Sequence, residues 1–208
     1  LSGGKASAGS VAAQAMDGVE GVIHIAGLAN DPSCDLDPLM ALDVNLEATK
    51  TLAQRAMHAG VRRFVFASSC SVSGKGMFEM LDEHSPTNPV SVYAQSKLES
   101  EHALFGLASK TFEPVIARPA TLFGWSPRMR FDLAINLMVA TASRNREIKV
   151  YGGGSQWRPF VHVRDAARAF TDMLEAPSAK VAGEIFNVGS DKNNYRIIDL
   201  AQLISGLI

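Results

Sequence analysis

Three short apolar runs, each closed by small or turn-forming residues, alternate with longer amphipathic stretches. The runs are GVIHIAG (21–27), RRFVFAS (62–68) and EPVIARP (113–119). Their length and their β-branched and aromatic content predict buried strands. Residues 38–59 place Leu42, Leu46, Leu52 and Ala56 along one side and run into Gly60, a helix with its stop signal. Residues 91–109 predict a second helix, with Tyr93, Leu98, Ala103 and Leu107 on one side and Ser91 as its N-cap. Strands joined by such helices pair in parallel and are covered on both faces. The fold class expected is a doubly wound α/β sheet.

After residue 119 the rhythm loosens. TLFGWSPRMRF reads as a loop, followed by a helix at about 131–144. IKVYGGG (148–154), RPFVHV (158–163) and GEIFNVG (183–189) are short strands or loops, with a helix from Asp165 to Glu175 among them. The closing YRIIDLAQLISGLI reads as a helix. The expected division is 1–120 as the sheet domain and 121–208 mainly as a smaller lobe, with some segments returning to the sheet.

Composition narrows the partners. The 208 residues are 47% hydrophobic and 20% charged with a net charge of −1, which supplies no field to attract nucleic acid or a membrane surface. Neither is expected as a partner. The most apolar segment, Leu133 to Ala142, is far short of the ~20 residues that span a bilayer. Two cysteines, Cys34 and Cys70, make no disulfide framework, so a cytoplasmic location is expected. No metal site is expected.

Ligands of open α/β sheets sit at the carboxyl ends of the strands. Two strands here end in small, polar sequence, AGLAN (26–30) and SSCSVSG (68–74). The helix that follows opens with SVYAQSK (91–97), so Tyr93 and Lys97 share one helix face. A phenol with a pKa of ~10 is a poor base at neutral pH, and a neighbouring ammonium lowers that value. Tyr-x-x-x-Lys alone is frequent on solvated helix faces. The ordered set of strand, serine cluster, proline-containing loop and tyrosine helix, with Ser69 at the strand end, points to alcohol–ketone redox chemistry.

The motifs resemble those of the extended short-chain dehydrogenase/reductases, of the nucleotide-sugar epimerase and dehydratase type. VIHIAGLA, DVNLEATKTL with Asn45, FVFASSCSVSG, SPTNPVSVYAQSKLESE, ARPATLFG, GGGSQWRPFVHVRDAARA and FNVGS match that family's elements over nearly the whole chain. The resemblance implies a Rossmann-like domain with Ser69, Tyr93 and Lys97 as the catalytic set. It places Ala26, Gly27, Leu28, Tyr93, Lys97, Arg118 and Pro119 at the cofactor NAD, with NADP left open as the alternative. Ser71, Thr121, Asn136, Leu137, Val150, Tyr151 and Arg158 would bind a nucleotide-diphosphate sugar, Arg158 at the diphosphate. It also implies a homodimer through helices 38–59 and 91–109. His24 and His162 read as structural histidines, Cys70 as a small buried filler, and Asp82, Glu83 and His84 as a solvated loop.

The sequence departs from the pattern at several points. The family's glycine-rich turn is not found, and LSGGKASAGS does not follow a strand. A first βαβ unit on the order of 50–60 residues is therefore expected to be missing from the chain, which taken alone should bind NAD weakly. The family's substrate lobe also usually continues beyond the point where this chain ends. Cys70 and Ser71 stand where the family's sugar dehydratases carry an acidic pair, which removes the dehydratase and decarboxylase readings. Ser73 replaces the usual tyrosine before the glycine, and Ala29 the lysine that often follows Ala-Gly-Leu. The expected function is an NAD-dependent epimerase working through a transient keto-sugar. The alternatives are a sugar ketoreductase or dehydrogenase and, in another class, an idle NAD-sensing or scaffold protein.

Overall fold

The computed structural model describes residues 15–74 and 81–208. The glycine- and serine-rich opening, read as a loop, lies outside the described residues. The chain divides into two compact units, residues 1–118 with 170–187, and residues 119–169 with 188–208.

The first unit is built on a four-stranded sheet, in the order β1 (Gly21–His24), β2 (Arg63–Ala67), β3 (Glu113–Pro119) and β6 (Ile185–Val188). β1 and β2 pair in parallel with Gly21 opposite Arg63, and β2 and β3 pair in parallel with Arg63 opposite Glu113. The three runs picked from the sequence are thus three adjacent strands. Phe64, Phe66 and Ile116 pack with Ala53, Ala56, Val61, Leu104 and Phe112 into the core of this unit.

The stretch 38–59 is not one regular helix. α1 (Asp31–Leu36) precedes α2 (Pro38–Leu42), whose first turn is capped by Asp37 accepting from the Met40 amide at 3.0 Å. Residues Asp43–Glu47 then widen into a π-turn before α3 (Ala48–His58). The buried side carries Ala41, Asn45, Leu46, Thr49, Ala53 and Ala56, whereas Leu42 and Leu52 are half-buried. Inside the π-turn the Asn45 carbonyl accepts from the hydroxyls of Thr49 (2.7 Å) and Ser100 (3.0 Å). Hydroxyl donors thus take up a carbonyl where the helix departs from its usual winding.

α4 (Val92–Phe105) ends four residues earlier than expected, at Gly106. Its buried residues are Ala94, Ser96, Lys97, Ser100, Glu101 and Leu104, not the face of Tyr93, Leu98, Ala103 and Leu107 that the apolar spacing selected. A helix whose buried side is largely polar shows no clear hydrophobic period.

The second unit holds a three-stranded sheet of β4 (Thr121–Phe123), β5 (Trp157–His162) and β7 (Asn194–Arg196). β4 and β5 are parallel and β5 and β7 antiparallel, with Arg158 opposite Tyr195. α5 (Ala134–Asn145) and α8 (Ile197–Ser205) pack Met138, Ala142, Leu200 and Ile204 around Phe160 and Ile197. The end of the chain, read as one helix from Tyr195, is therefore strand to Arg196 and helix afterwards. IKVYGGG carries no strand and closes on a short 3₁₀ turn, Gly152–Gly154. There a Cβ on Gly154 would meet the Val150 side chain at 2.6 Å and the Ile198 backbone at 3.0 Å. α6 (Val163–Glu175) runs from the second unit into the first, and α7 (Ser178–Val181) follows it.

Candidate active site

The carboxyl ends of β1 and β2 and the first turns of α4 form one cluster in the first unit. Beyond β1, Ala26 and Gly27 are exposed and Leu28 is half-buried. Asn45 fixes this turn: its Oδ1 accepts from the Leu28 amide at 2.8 Å and its Nδ2 donates to the Leu28 carbonyl at 3.1 Å. Asn45 Nδ2 also lies 3.1 Å from Ser96 Oγ, which ties the turn to α4. Gly27 has φ +155, and a Cβ there would stand 2.7 Å from Asn45 Oδ1 and 3.8 Å from Lys97 Nζ. Only glycine leaves room for that approach.

After β2 the chain turns through Ser69 into a 3₁₀ turn, Cys70–Ser73. Ser69 Oγ accepts from the Ser71 amide (3.2 Å) and from the Ser71 hydroxyl (2.9 Å), so these two serines form one pair. Cys70 is half-exposed on this turn rather than a buried filler, because Val72 is the residue the turn buries. The fully buried cysteine is Cys34 of α1.

α4 starts at Ser91, whose Oγ accepts from the Ala94 amide at 3.2 Å. Two residues on stands Tyr93, half-buried, and one turn further Lys97, which is 4% exposed. Lys97 Nζ donates to the Ala67 carbonyl at 2.9 Å. It lies 4.8 Å from the centre of the Phe66 ring and 5.9 Å from that of Tyr93. Burial lowers the Lys97 pKa from 10.5 to about 8, with Cys34 and Glu101 working in the opposite direction. His24 bears out its structural reading: its Nε2 is 2.9 Å from Thr49 Oγ1. Burial, and then the charge of Lys97, depress its pKa to about 4.

Two residues of this cluster, Glu101 and Ser68, had no role assigned from the sequence, and Arg118 was expected at the cofactor. Glu101, one turn beyond Lys97, is 1% exposed and forms a two-pronged pair with Arg118, at 3.0 Å (Oε1 to Nε) and 2.6 Å (Oε2 to the terminal nitrogen). Glu101 Oε1 also accepts from the Ser68 hydroxyl. Arg118, 4% exposed, therefore points its guanidinium at Glu101. The signal was the i+8 spacing from Tyr93, which puts Tyr93, Lys97 and Glu101 on one face.

The remaining expected residues belong to the second unit, which begins at Pro119, half-buried where β3 closes. Asn136 is buried, and its amide holds the preceding loop: Oδ1 accepts from the Gly124 amide at 3.1 Å, and Nδ2 donates to the Arg130 carbonyl at 3.0 Å. Thr121, Leu137 and Val150 are half-buried, and Tyr151 and Arg158 are exposed. Arg158 donates to the Trp157 carbonyl at 3.1 Å. His162 stands edge-on to Phe123, ring centres 5.3 Å apart, and its Nδ1 accepts from the Arg164 amide. Among the described residues no cluster of histidine, cysteine and carboxylates could hold a metal ion, and no helix is long and apolar enough to cross a membrane.

Known proteins resemble this arrangement in sequence and in shape. The mouse dTDP-D-glucose 4,6-dehydratase is 30% identical over 166 residues, covering 79% of this chain and 45% of that protein. The UDP-glucuronate 4-epimerase of Thermodesulfobacterium geofontis is 27% identical over 196 residues, covering 91% of this chain and 57% of its own length. The solved structure of MoeE5 in complex with UDP-glucuronic acid and NAD superposes with a TM-score of 0.85 at 26% identity, over 94% of this chain and 64% of that one. The chain thus spans about half the length of the curated relatives it matches. Residues 5–189 match the family described as NAD dependent epimerase/dehydratase. The chain belongs to the NAD dependent epimerase/dehydratase family.

Proposed function

We propose that the full-length protein is an NAD-dependent epimerase of nucleotide-diphosphate sugars, with Ser69, Tyr93 and Lys97 as its catalytic set. The observation that carries the reading is the buried Lys97 ammonium. It is anchored on Ala67 at the end of the strand that leads into Ser69, and it faces the tyrosine one turn earlier.

The residues present fit a nicotinamide cofactor. Ala26 and Gly27 offer exposed backbone with no bulky side chain after β1, and Lys97 has further N–H donors beside them for ribose hydroxyls. Bound NAD supplies the acceptor and donor of hydride. Tyr93, with its phenolate favoured by Lys97, takes the proton of the sugar hydroxyl while the C–H hydride leaves, and returns a proton on the reverse step. Ser69 shares the hydrogen bond to the same oxygen, and its link to Ser71 fixes the direction of its hydroxyl. In the second unit Arg158 and Tyr151 are exposed and available to a nucleotide diphosphate, with Thr121, Asn136, Leu137 and Val150 along the same sugar-nucleotide site. Cys70 and Ser71 offer no carboxyl group to protonate a leaving hydroxyl. This favours epimerisation over the water elimination named for the mouse relative. The UDP-glucuronate epimerase among the relatives points the same way.

A cytoplasmic location and a homodimer through α2, α3 and α4 are part of this proposal, the dimer supported by Leu39, which is 80% exposed. A dimer mass by light scattering of the full-length protein is the expected result.

Tyr93→Phe is expected to lower turnover of the accepted UDP-, GDP- or dTDP-sugar by ~10²–10⁴-fold without unfolding the protein. Epimer formation is read by chromatography of the sugar nucleotides. Unchanged turnover in Tyr93→Phe would sink the reading. Stoichiometric release of keto-sugar with NADH would replace it by the dehydrogenase.

A further inference from the structure

Glu101 is buried on the face of α4 that carries Lys97, and the proposed reaction gives it no task. A structural arginine partner needs only the two bonds it makes with Arg118. Glu101 makes a third. Its Oε1 accepts from the hydroxyl of Ser68, the residue between Ala67 and Ser69. Lys97 already holds the Ala67 carbonyl, and the Ser68 amide donates to the Ala117 carbonyl at 2.8 Å. Two side chains one helical turn apart therefore grip the last residue of β2 and the one after it, immediately ahead of the Ser69 turn.

We propose that Glu101 is a positioning residue of the reaction: through Ser68 it sets where the Ser69 hydroxyl stands, and its carboxylate, shared with Arg118, is a buried negative charge one helical turn from Lys97. The inference rests on the epimerase reading above.

The groups that face Lys97 bear on the sign of the electrostatic effect. From β1 comes His24, uncharged at neutral pH. From α1 comes the Cys34 thiol, itself pushed up first by burial and then by Asp31 and Asp35. From its own helix come Tyr93 and Glu101, and from β3 the guanidinium of Arg118 on Glu101. Removing the carboxylate charge takes away an attraction and leaves the Arg118 cation unbalanced. Both effects make Lys97 release its proton at lower pH.

The test uses the full-length protein with NAD and a nucleotide sugar that it turns over. Ser68→Ala is expected to lower kcat by roughly tenfold with KM within about twofold, because a displaced Ser69 hydroxyl affects the reacting step. Ser68→Thr, which keeps the hydroxyl, restores most of the loss. Glu101→Gln is expected to move the alkaline limb of the kcat/KM profile to lower pH. NMR of lysine-labelled protein reads the same shift without turnover: the Lys97 midpoint falls in Glu101→Gln and stays in place in Ser68→Ala. Unchanged kcat in Ser68→Ala, or an unmoved Lys97 midpoint in Glu101→Gln, overturns the proposal. If Glu101→Gln does not fold, the two Ser68 variants decide alone. If the wild type turns over no nucleotide sugar, the epimerase reading falls while the NMR titration still judges the buried charge.

Discussion

Strands β2 and β3 carry a buried arginine–glutamate pair at each end. At the amino ends Arg63 stands opposite Glu113, with contacts of 2.8 and 3.1 Å. At the carboxyl ends Arg118 of β3 meets Glu101 of α4. The partners' remaining hydrogen-bonding capacity separates the two. Arg63 sends its other donors to the carbonyls of Met173 and Ala176, at the carboxyl end of α6, while Arg62 and Ser178 also bind Glu113. That cluster closes on backbone, and it fastens a helix end whose free carbonyls need donors. Glu101 instead gives its extra lone pair to Ser68, next to half-buried serines. The same ion pair is thus a clamp at one end and part of the proposed reaction site at the end where parallel sheets leave room for ligands.

Breaking the clamp gives the largest stability change expected. Arg63→Met leaves Glu113 buried without its main partner and the α6 carbonyls without donors. It should destabilise the protein by about 3–5 kcal/mol, read by urea unfolding. Turnover per folded molecule should stay near the wild-type value, since nothing in the clamp touches the serine, tyrosine or lysine. A tenfold fall in kcat with little loss of stability would erase the distinction between the two ends.

At the carboxyl end the opposite sign is expected. A lysine whose pKa is lowered from 10.5 to about 8 by burial destabilises the fold while it is charged. The unfolded chain holds its proton up to 10.5 and the folded chain only up to about 8. Stability attributable to this residue therefore rises with pH across that window. Lys97→Met should stabilise the protein by about 3 kcal/mol at pH 7, with the gain fading toward pH 10. The same variant should lose its turnover. Equal stability of the two proteins at pH 7 would show that Lys97 is not the strained charge described.

Sequence pattern gave different returns at the two ends. The strands are apolar and short, so their places and parallel pairing followed from periodicity alone. α4 was found, but not its buried side, because Ser96, Lys97, Ser100 and Glu101 are polar residues turned inward. The helix expected over 38–59 missed the π-turn at Asn45 for a related reason: the turn follows hydrogen bonds from Thr49 and Ser100, which leave no hydrophobic period. β4 and β7, three residues each, are shorter than any alternation that could mark them. The Arg63 clamp depends on carbonyls about 110 residues away, a pairing no local pattern encodes.

The smallest effect concerns the rim of the reactive end. Ser91 caps α4 and also donates to Asp31 Oδ1 at 2.6 Å, joining α4 to α1. The bond to Asp31 lies toward solvent, where water replaces a lost partner, and the capping bond is only part-buried. Ser91→Ala should therefore lower stability by only about 1 kcal/mol, and Ser91→Thr by less. The hold of Lys97 on Ala67 and of Glu101 on Ser68, both deeper along the helix, should keep the Tyr93 turn in place. Thermal melting should report a small shift, and kcat should move by less than about threefold. A larger kinetic loss would mean that the rim, and not the buried grip, sets the position of the tyrosine.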